Sequence, residues 1–151
     1  MDSNSLVLHR SHALSERSLD LIPGTAQTFS KGPSQIVRGV SPLYLERGHG
    51  SHVWDVDGNE FIDYPTSLGP IVLGHNDPDV TKAVTDQISQ GTVFSLSHPI
   101  ELDVAETLVA AIPCAEMIRY GKNGSDVTSA AVRVSRAFTG RDIVAVCGYH
   151  G

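Results

Sequence analysis

Six small polar residues form the part of this 151-residue chain best suited to chemistry. They run Gly-Lys-Asn-Gly-Ser-Asp over 121–126. Where such a segment opens a helix, it presents unpaired backbone N–H groups, a hydroxyl and the positive end of the helix dipole, which together suit an anion such as phosphate. The same residues are also ordinary turn and cap formers. The phosphate-binding patterns GxxxxGK[ST] and GxGxxG are absent, so the turn alone leaves both interpretations open.

The flanking residues predict a strand, a helix and a second strand that would position this turn. An apolar run at 117–120 precedes the turn, and residues 143–147 form the second apolar run. Between them, apolar side chains recur at helical spacing, at Val127, Ala130, Ala131, Val134, Ala137 and Phe138. We expect Ser125 or Asp126 to cap the helix and Gly140 to end it in a left-handed conformation. A right-handed βαβ crossover would leave the turn at the carboxyl edge of the sheet, where ligands bind.

Three segments in the right order resemble class III, pyridoxal-phosphate-dependent aminotransferases, and most closely the branch containing glutamate-1-semialdehyde aminomutase. They are NGSDVTSAAVRVSRAFTGRD with the following GYHG, VWDVDGNEFIDY at 53–64 and SLGPIVLGH at 67–75. The resemblance implies an α/β fold, the N-terminal part of a fold-type I PLP-dependent transferase. We expect residues 1–76 to form an N-terminal helix, loop and β-meander region. Residues 77–151 would form an incomplete first part of the large PLP-binding domain.

The resemblance also implies pyridoxal 5′-phosphate as cofactor and assigns residues to it. Gly124 and Ser125 fall where the family holds the cofactor phosphate, and Asn123 stands beside them where the family usually has Ser. Tyr149 falls where an aromatic ring stacks on the pyridine ring, and His150 follows in the same turn. The cofactor-binding residues expected by resemblance are therefore these five.

Amino transfer with this cofactor needs two further groups, a lysine that binds it as an imine and a carboxylate that pairs with the pyridine nitrogen. In the family, both lie well beyond the equivalent of Gly151. The lysines here are Lys31, Lys82 and Lys122, and Lys122, beside the turn, is better suited to charge neutralisation or solvation. We assign no catalytic residue. We expect the chain to be the N-terminal portion of a longer enzyme and to be inactive by itself.

The function expected by resemblance is transfer of an amino group between an amine or amino acid and a carbonyl substrate, in a homodimer. One alternative is glutamate-1-semialdehyde 2,1-aminomutase. However, Leu68 occupies a position where that branch commonly has Trp, and residues 27–31 contain no counterpart of its early arginine. Both departures favour a transaminase with another substrate. A second alternative is a non-catalytic, truncated module that binds phosphate or PLP, or that mediates dimerisation.

Charge and hydropathy exclude several other classes of protein. The net charge is −6, and the eleven Lys and Arg residues are scattered rather than gathered into a basic stripe, which argues against nucleic-acid binding. No sustained apolar run predicts a signal peptide or a membrane helix, so we expect a cytoplasmic location without membrane partners.

Residues that commonly bind metals show no metal-binding spacing. Cys114 and Cys147 lack a CxxC pattern and are expected to be reduced and packed. The run DVDGNE at 55–60 begins like a calcium loop but has Glu60 where glycine is required. The histidines lack spacings such as HExxH, and we interpret most of them as surface or loop residues. No metal site is predicted.

The remaining pattern predicts a meander between helices. A short amphipathic helix within residues 3–22 either packs against a partner subunit or frays. Three alternating segments predict antiparallel strands, at 43–47, 52–56 and 60–64. Two further helices are expected to open at Pro78 and Pro99 and to bury apolar faces as scaffold. The apolar segment at 67–75, with its glycines and proline, is expected to face the site.

Overall fold

A computed structural model of the protein describes residues 6–37 and 39–148. Packing divides the chain into two compact units, Met1–Thr92 and Val93–Gly151. The helix that follows residue 77 groups with the first of these units. The functional domain boundary expected after residue 76 stays a prediction.

The first unit contains the expected antiparallel meander. Its strands are β1 at Leu45–His49, β2 at His52–Asp55 and β3 at Glu60–Ile62, paired in the order β1-β2-β3. Gly58 adopts φ +89 in the turn between β2 and β3, a conformation that favours glycine. The predicted strand pattern and turn are therefore confirmed, with strand ends shifted by one or two residues.

The N-terminal helix, α1 at His9–Leu19, is anchored to this meander by its own first turn. Leu8 at its N-cap position supplies no capping side chain. Asp57, from the turn between β2 and β3, caps it instead. Its Oδ1 accepts the Arg10 backbone N–H at 2.7 Å and its Oδ2 accepts that of Ser11 at 2.9 Å. The helix is thus held within the first unit, and the frayed alternative does not apply to it.

A buried carboxylate organises the turn that carries Asp57. Asp55 is 1% exposed, and its Oδ1 accepts the backbone N–H groups of Asp57 at 3.0 Å and Asn59 at 2.8 Å. Its Oδ2 accepts the Asn59 side-chain amide at 2.7 Å, and the same amide donates to the Val7 carbonyl. Beside this network, the core contains the buried side chains of Leu8 and Val53.

Acid should release α1 from the turn. Desolvation would raise the pKa of Asp57, but the backbone N–H groups of Arg10 and Ser11 and the positive charge of Arg10 outweigh it and hold that pKa below its ordinary value of 3.8. A carboxylate with a lowered folded-state pKa stabilises the fold above its unfolded-state pKa, and this contribution is lost as the pH falls through the folded-state value. We expect the amide NMR shifts of Arg10 and Ser11 to report this loss below about pH 4.

The matched variant for this titration is Asp57→Asn, which keeps one acceptor oxygen and removes the charge. Its two capped amides should show no acid transition in that window. A transition that persists unchanged in the variant would assign the acid sensitivity to another carboxylate.

Three more α-helices lie within the described residues, each with a defined N-cap. They are α2 at Pro78–Ile88, α3 at Pro99–Ala111 and α4 at Gly124–Thr139. Asp77 caps α2 by accepting two backbone N–H groups, and the His98 ring caps α3. Both predicted proline helix starts are confirmed. Within the part of the chain that the structure describes, no helix is long and apolar enough to cross a membrane.

Three expectations about strands and packing are wrong. Residues 117–120 and 143–147 are irregular rather than strands, because a strand needs a hydrogen-bonded neighbour and neither segment has one among the described residues. The apolar faces of α2 and α4 are exposed rather than buried, since no described element covers them. Their exposed side chains include Val80, Val84, Ile88, Val127, Val134 and Phe138. Cys114 and Cys147 are likewise exposed rather than packed.

Candidate functional site

The turn before α4 is shaped by its cap residue. Asn123, rather than Ser125 or Asp126, caps the helix: its side-chain oxygen accepts the Asp126 backbone N–H at 3.1 Å. At the other end, Gly140 adopts φ +65 and its N–H bonds to the carbonyl of Arg136, which confirms the predicted left-handed helix end. The Asn123 side-chain oxygen is already bonded to the Asp126 N–H, so its role is to fix the conformation of the turn.

Two backbone donors at the start of α4 point to no protein acceptor. Across residues 6–37 and 39–148, no acceptor is recorded for the N–H groups of Gly124 and Ser125 or for the Ser125 hydroxyl. A Cβ built on Gly124 would meet no atom within 4 Å. Open space therefore adjoins two unsatisfied N–H groups, a hydroxyl and the positive helix end, and these are the features that a phosphate group requires.

The rest of the turn packs inward. A Cβ on Gly121 would lie 2.7 Å from Cγ1 of Val127, so glycine there lets the chain approach the first turn of the helix. The Asp126 carboxylate accepts the Lys122 backbone N–H at 3.3 Å. One oxygen of the Asp126 carboxylate is therefore hydrogen-bonded within the turn.

The described residues include only part of the set expected to hold the cofactor. Tyr149 and His150 lie outside the described residues. Lys31 and Lys82 bond to side chains four residues away on their own segments. The described turn therefore brings together Asn123, Gly124 and Ser125 of the five residues expected by resemblance.

A second candidate region lies in the first unit, at the loop 66–74. Thr66, Ser67 and Leu68 have φ of +45, +55 and +68, and Gly69 follows at +109. Three consecutive non-glycine residues in the left-handed region are uncommon, and such strain concentrates at functional sites. A cavity of about 370 Å³ lies against the loop, and its lining includes Ser51, Ile71, Val72 and Leu73.

A histidine–carboxylate pair closes the base of this loop. The Nε2 atom of His75 lies 2.6 Å from Oδ2 of Asp63, with the side chains 21% and 10% exposed. His75 is therefore an exception among the histidines, most of which are interpreted as surface or loop residues. The two residues are twelve positions apart, and no local spacing rule identifies such a pair.

The fold and the turn define the class of protein. The FumI protein of Sphingopyxis sp. MTA144, solved in a PLP internal aldimine form, superposes with a TM-score of 0.79 at 31% identity. The match covers 87% of this chain and 31% of the FumI chain. An omega-transaminase from Sphaerobacter thermophilus superposes with a TM-score of 0.77 at 29% identity, over 87% of this chain and 29% of its own. An antiparallel meander followed by helices, with a small polar turn opening the last of them, is the arrangement found in the N-terminal part of fold-type I PLP transaminases. The sequence profile described as aminotransferase class-III matches residues 36–151, and the chain belongs to this family.

Curated relatives carry two different activities in their names. The glutamate-1-semialdehyde 2,1-aminomutase of Methanothrix thermoacetophila is 37% identical over 100% of this chain and 34% of its own length. The 3-aminobutyryl-CoA aminotransferase of Cloacimonas acidaminovorans is 39% identical over 99% of this chain and 36% of its own length. The chain thus spans about a third of the relatives it matches.

Proposed function

We propose that the complete protein containing this chain is a PLP-dependent aminotransferase that moves an amino group from an amine or amino acid to a carbonyl compound. The observation that carries the proposal is the open N-terminus of α4, where Gly124 and Ser125 present unsatisfied donors in a chain of the class-III family. The cofactor would be pyridoxal 5′-phosphate, which is named with the FumI relative.

The described residues of the turn would act on the phosphate. The backbone N–H groups of Gly124 and Ser125 and the Ser125 hydroxyl donate to phosphate oxygens, while Asn123 holds the turn in place through its cap to Asp126. Tyr149 and His150 remain proposed ring contacts. When bound, pyridoxal phosphate supplies an electron-accepting ring for amine chemistry. Phosphate binding at a helix N-terminus also orients the ring, because it fixes one end of the cofactor.

The imine lysine and the carboxylate for the pyridine nitrogen would come from the remainder of the complete protein. We propose that the 151-residue chain alone binds the cofactor weakly and without transfer activity. Titration of the isolated chain should give saturable binding without an imine absorbance band. Appearance of that band would implicate one of the chain's own lysines, Lys122 first because of its place beside the turn.

The partners proposed by resemblance are an amine and a carbonyl substrate and a second copy of the protein. Leu68, in place of a tryptophan, supports a transaminase over an aminomutase. Incubation of the complete protein with the cofactor and one aminated substrate distinguishes the two activities. Transfer that requires a second carbonyl compound supports the transaminase, whereas rearrangement of glutamate-1-semialdehyde alone supports the aminomutase. The absence of both products would overturn the enzymatic proposal.

Phosphate recognition predicts a difference between two forms of the cofactor. Pyridoxal 5′-phosphate should bind the complete protein at least about tenfold more tightly than pyridoxal, because charge-assisted hydrogen bonds to the turn contribute roughly 1.5–3 kcal/mol each. Competition calorimetry with inorganic phosphate measures the same contacts. Ser125→Ala removes the hydroxyl donor and should reduce the difference in affinity between pyridoxal 5′-phosphate and pyridoxal. Ser129→Ala, on the same helix, is the control. Equal affinities for the two forms would contradict a phosphate site here.

A further inference from the structure

The loop 66–74 is closed at its base by contacts to the hairpin tip between β1 and β2. The backbone N–H groups of Gly50 and His75 each donate to the carbonyl of the other, at 2.8 and 2.7 Å. Asp63, at the near end of the loop, donates its N–H to the carbonyl of Ser51 at 2.8 Å. The two ends of the loop are therefore tied to adjacent residues of the hairpin tip, His75 to Gly50 and Asp63 to Ser51.

The Asp63 carboxylate joins the two ends directly. One oxygen accepts the Thr66 backbone N–H at 3.0 Å and the other lies 2.6 Å from Nε2 of His75. Thr66 is the first residue of the left-handed run. The carboxylate thus fixes the point at which the strained segment begins while it holds the residue that follows the loop.

Space for the histidine ring is provided by a glycine on β1. A Cβ on Gly48 would lie 2.6 Å from Cγ of His75. The φ of Gly48 is not in the left-handed region, so the glycine is needed for room rather than for conformation. The ring of His75 is therefore set by the strand on one side and by Asp63 on the other.

We propose that Asp63 and His75 are positioning residues for substrate binding, and that their side-chain pair holds the loop 66–74 in the left-handed conformation in which it contacts substrate. The inference rests on the proposed function, because it takes the loop to line the substrate site. The pair does not touch the reacting atoms. Because left-handed backbone at Thr66, Ser67 and Leu68 is strained, the loop relaxes toward other conformations once the pair is broken.

The chain supplies a matched control for this pair. His52 and Glu60 form a second histidine–carboxylate contact, between β2 and β3, with Nδ1 2.9 Å from Oε1. Their side chains are 46% and 54% exposed and lie on strands rather than at a loop base. Breaking the two pairs separately distinguishes the loop contact from a general effect of losing such an interaction.

The first measurement is amide hydrogen exchange across 66–74 in the complete protein without substrate. His75→Leu should speed exchange at Thr66, Leu68 and Gly69 by about tenfold, the factor that corresponds to loss of one strong hydrogen bond. His75→Gln keeps a donor near the Nε2 position and should restore slow exchange. Unchanged exchange in His75→Leu would overturn the proposal, as would equal acceleration in His52→Leu.

The second measurement separates positioning from a general structural role. In steady-state amino transfer, His75→Leu should raise KM about tenfold and leave kcat within about twofold, with His75→Gln close to the wild type. Gly48→Ala, which displaces the ring without removing either partner, should act in the same direction and serves if His75→Leu does not fold. Faster loop exchange with an unchanged KM would overturn the positioning role. A wild-type protein without amino transfer would overturn the proposed function, while the exchange result would still decide whether the pair holds the loop.

Discussion

Replacing Gly124 with alanine should weaken binding of pyridoxal 5′-phosphate while leaving the fold intact. Beyond its chain neighbours and the backbone of its own helix, a Cβ at this position meets no atom within 4 Å, so the methyl group would not clash with the fold. Under the proposed function it would compete with the phosphate for this space. The φ of Gly124 is not left-handed, and alanine in a compatible helical position stabilises the folded chain by roughly 0.4–1 kcal/mol. Overpacking against a bound group costs roughly 1–3 kcal/mol, about 5- to 150-fold in affinity.

The neighbouring glycine gives the opposite result and is the control. In Gly121→Ala the new methyl would lie 2.7 Å from Cγ1 of Val127, and a valine in a helix has little freedom to rotate away. We expect destabilisation of roughly 1–3 kcal/mol, with intrinsic phosphate affinity preserved in the folded fraction. Adding Val127→Ala removes the clash and should recover most of the lost stability.

The two glycines are distinguished by measuring cofactor dissociation constants and urea unfolding on each variant of the complete protein. Gly124→Ala should move only the dissociation constant, and Gly121→Ala mainly the unfolding free energy. If Gly124→Ala binds pyridoxal 5′-phosphate as tightly as the wild type, the open space before α4 is not where the phosphate lies. The turn then serves only as a helix start, which is the other interpretation of its residues.

Local sequence signals predicted the elements that depend on local physics. The course of α4, its left-handed end at Gly140 and the proline starts of two other helices all follow from spacing and capping rules. The meander follows from alternation and from the Asp57-Gly58 turn. The same rules failed for residues 117–120 and 143–147, because an apolar run indicates a segment that suits a sheet but cannot supply its hydrogen-bonding neighbour.

The contacts that sequence reasoning missed are those between distant residues. Asp57 and Arg10 are 47 positions apart in the sequence, and neither residue type predicts that the Asp57 carboxylate accepts the Arg10 N–H. The cap of α4 shows a subtler limit: Asn123, Ser125 and Asp126 are all good cap residues, and only the backbone conformation at Asn123 decides among them. The turn proposed to bind phosphate could be singled out because such a turn consists of consecutive residues, whereas the Asp63 and His75 pair forms only in the folded chain.

Replacing Asp55 with alanine should be the most destabilising single change in the first unit. It would leave the backbone N–H groups of Asp57 and Asn59 without an acceptor, and it would remove one of the two acceptors of the Asn59 side-chain amide, which keeps the Val7 carbonyl. The site is 1% exposed, so water cannot readily replace the carboxylate. Unsatisfied buried donors cost roughly 1–3 kcal/mol each, and we expect a total loss of about 3–5 kcal/mol in unfolding free energy.

Conservative variants test which part of that loss belongs to which hydrogen bond. Asp55→Asn keeps an oxygen for the two backbone donors but sets its own amide against the Asn59 amide, so it should lose less than Asp55→Ala and more than a surface change. Exchanging the pair, with Asp55→Asn and Asn59→Asp together, restores the side-chain bond. It also places a carboxylate against the Val7 carbonyl, which now accepts from Asn59, so recovery should be incomplete.

Loss of the Asp55 network should also detach α1, because the turn that Asp55 organises is the one that presents Asp57 to the helix. In Asp55→Ala we expect the amides of Arg10 and Ser11 to lose protection together with those of the turn, in one transition during urea unfolding of the first unit. Protection of α1 that outlasts the turn would mean that apolar contacts around Leu8 hold the helix without the cap. The cap would then set only where the helix begins, and its removal in Asp57→Ala should leave the protection of the later α1 amides unchanged.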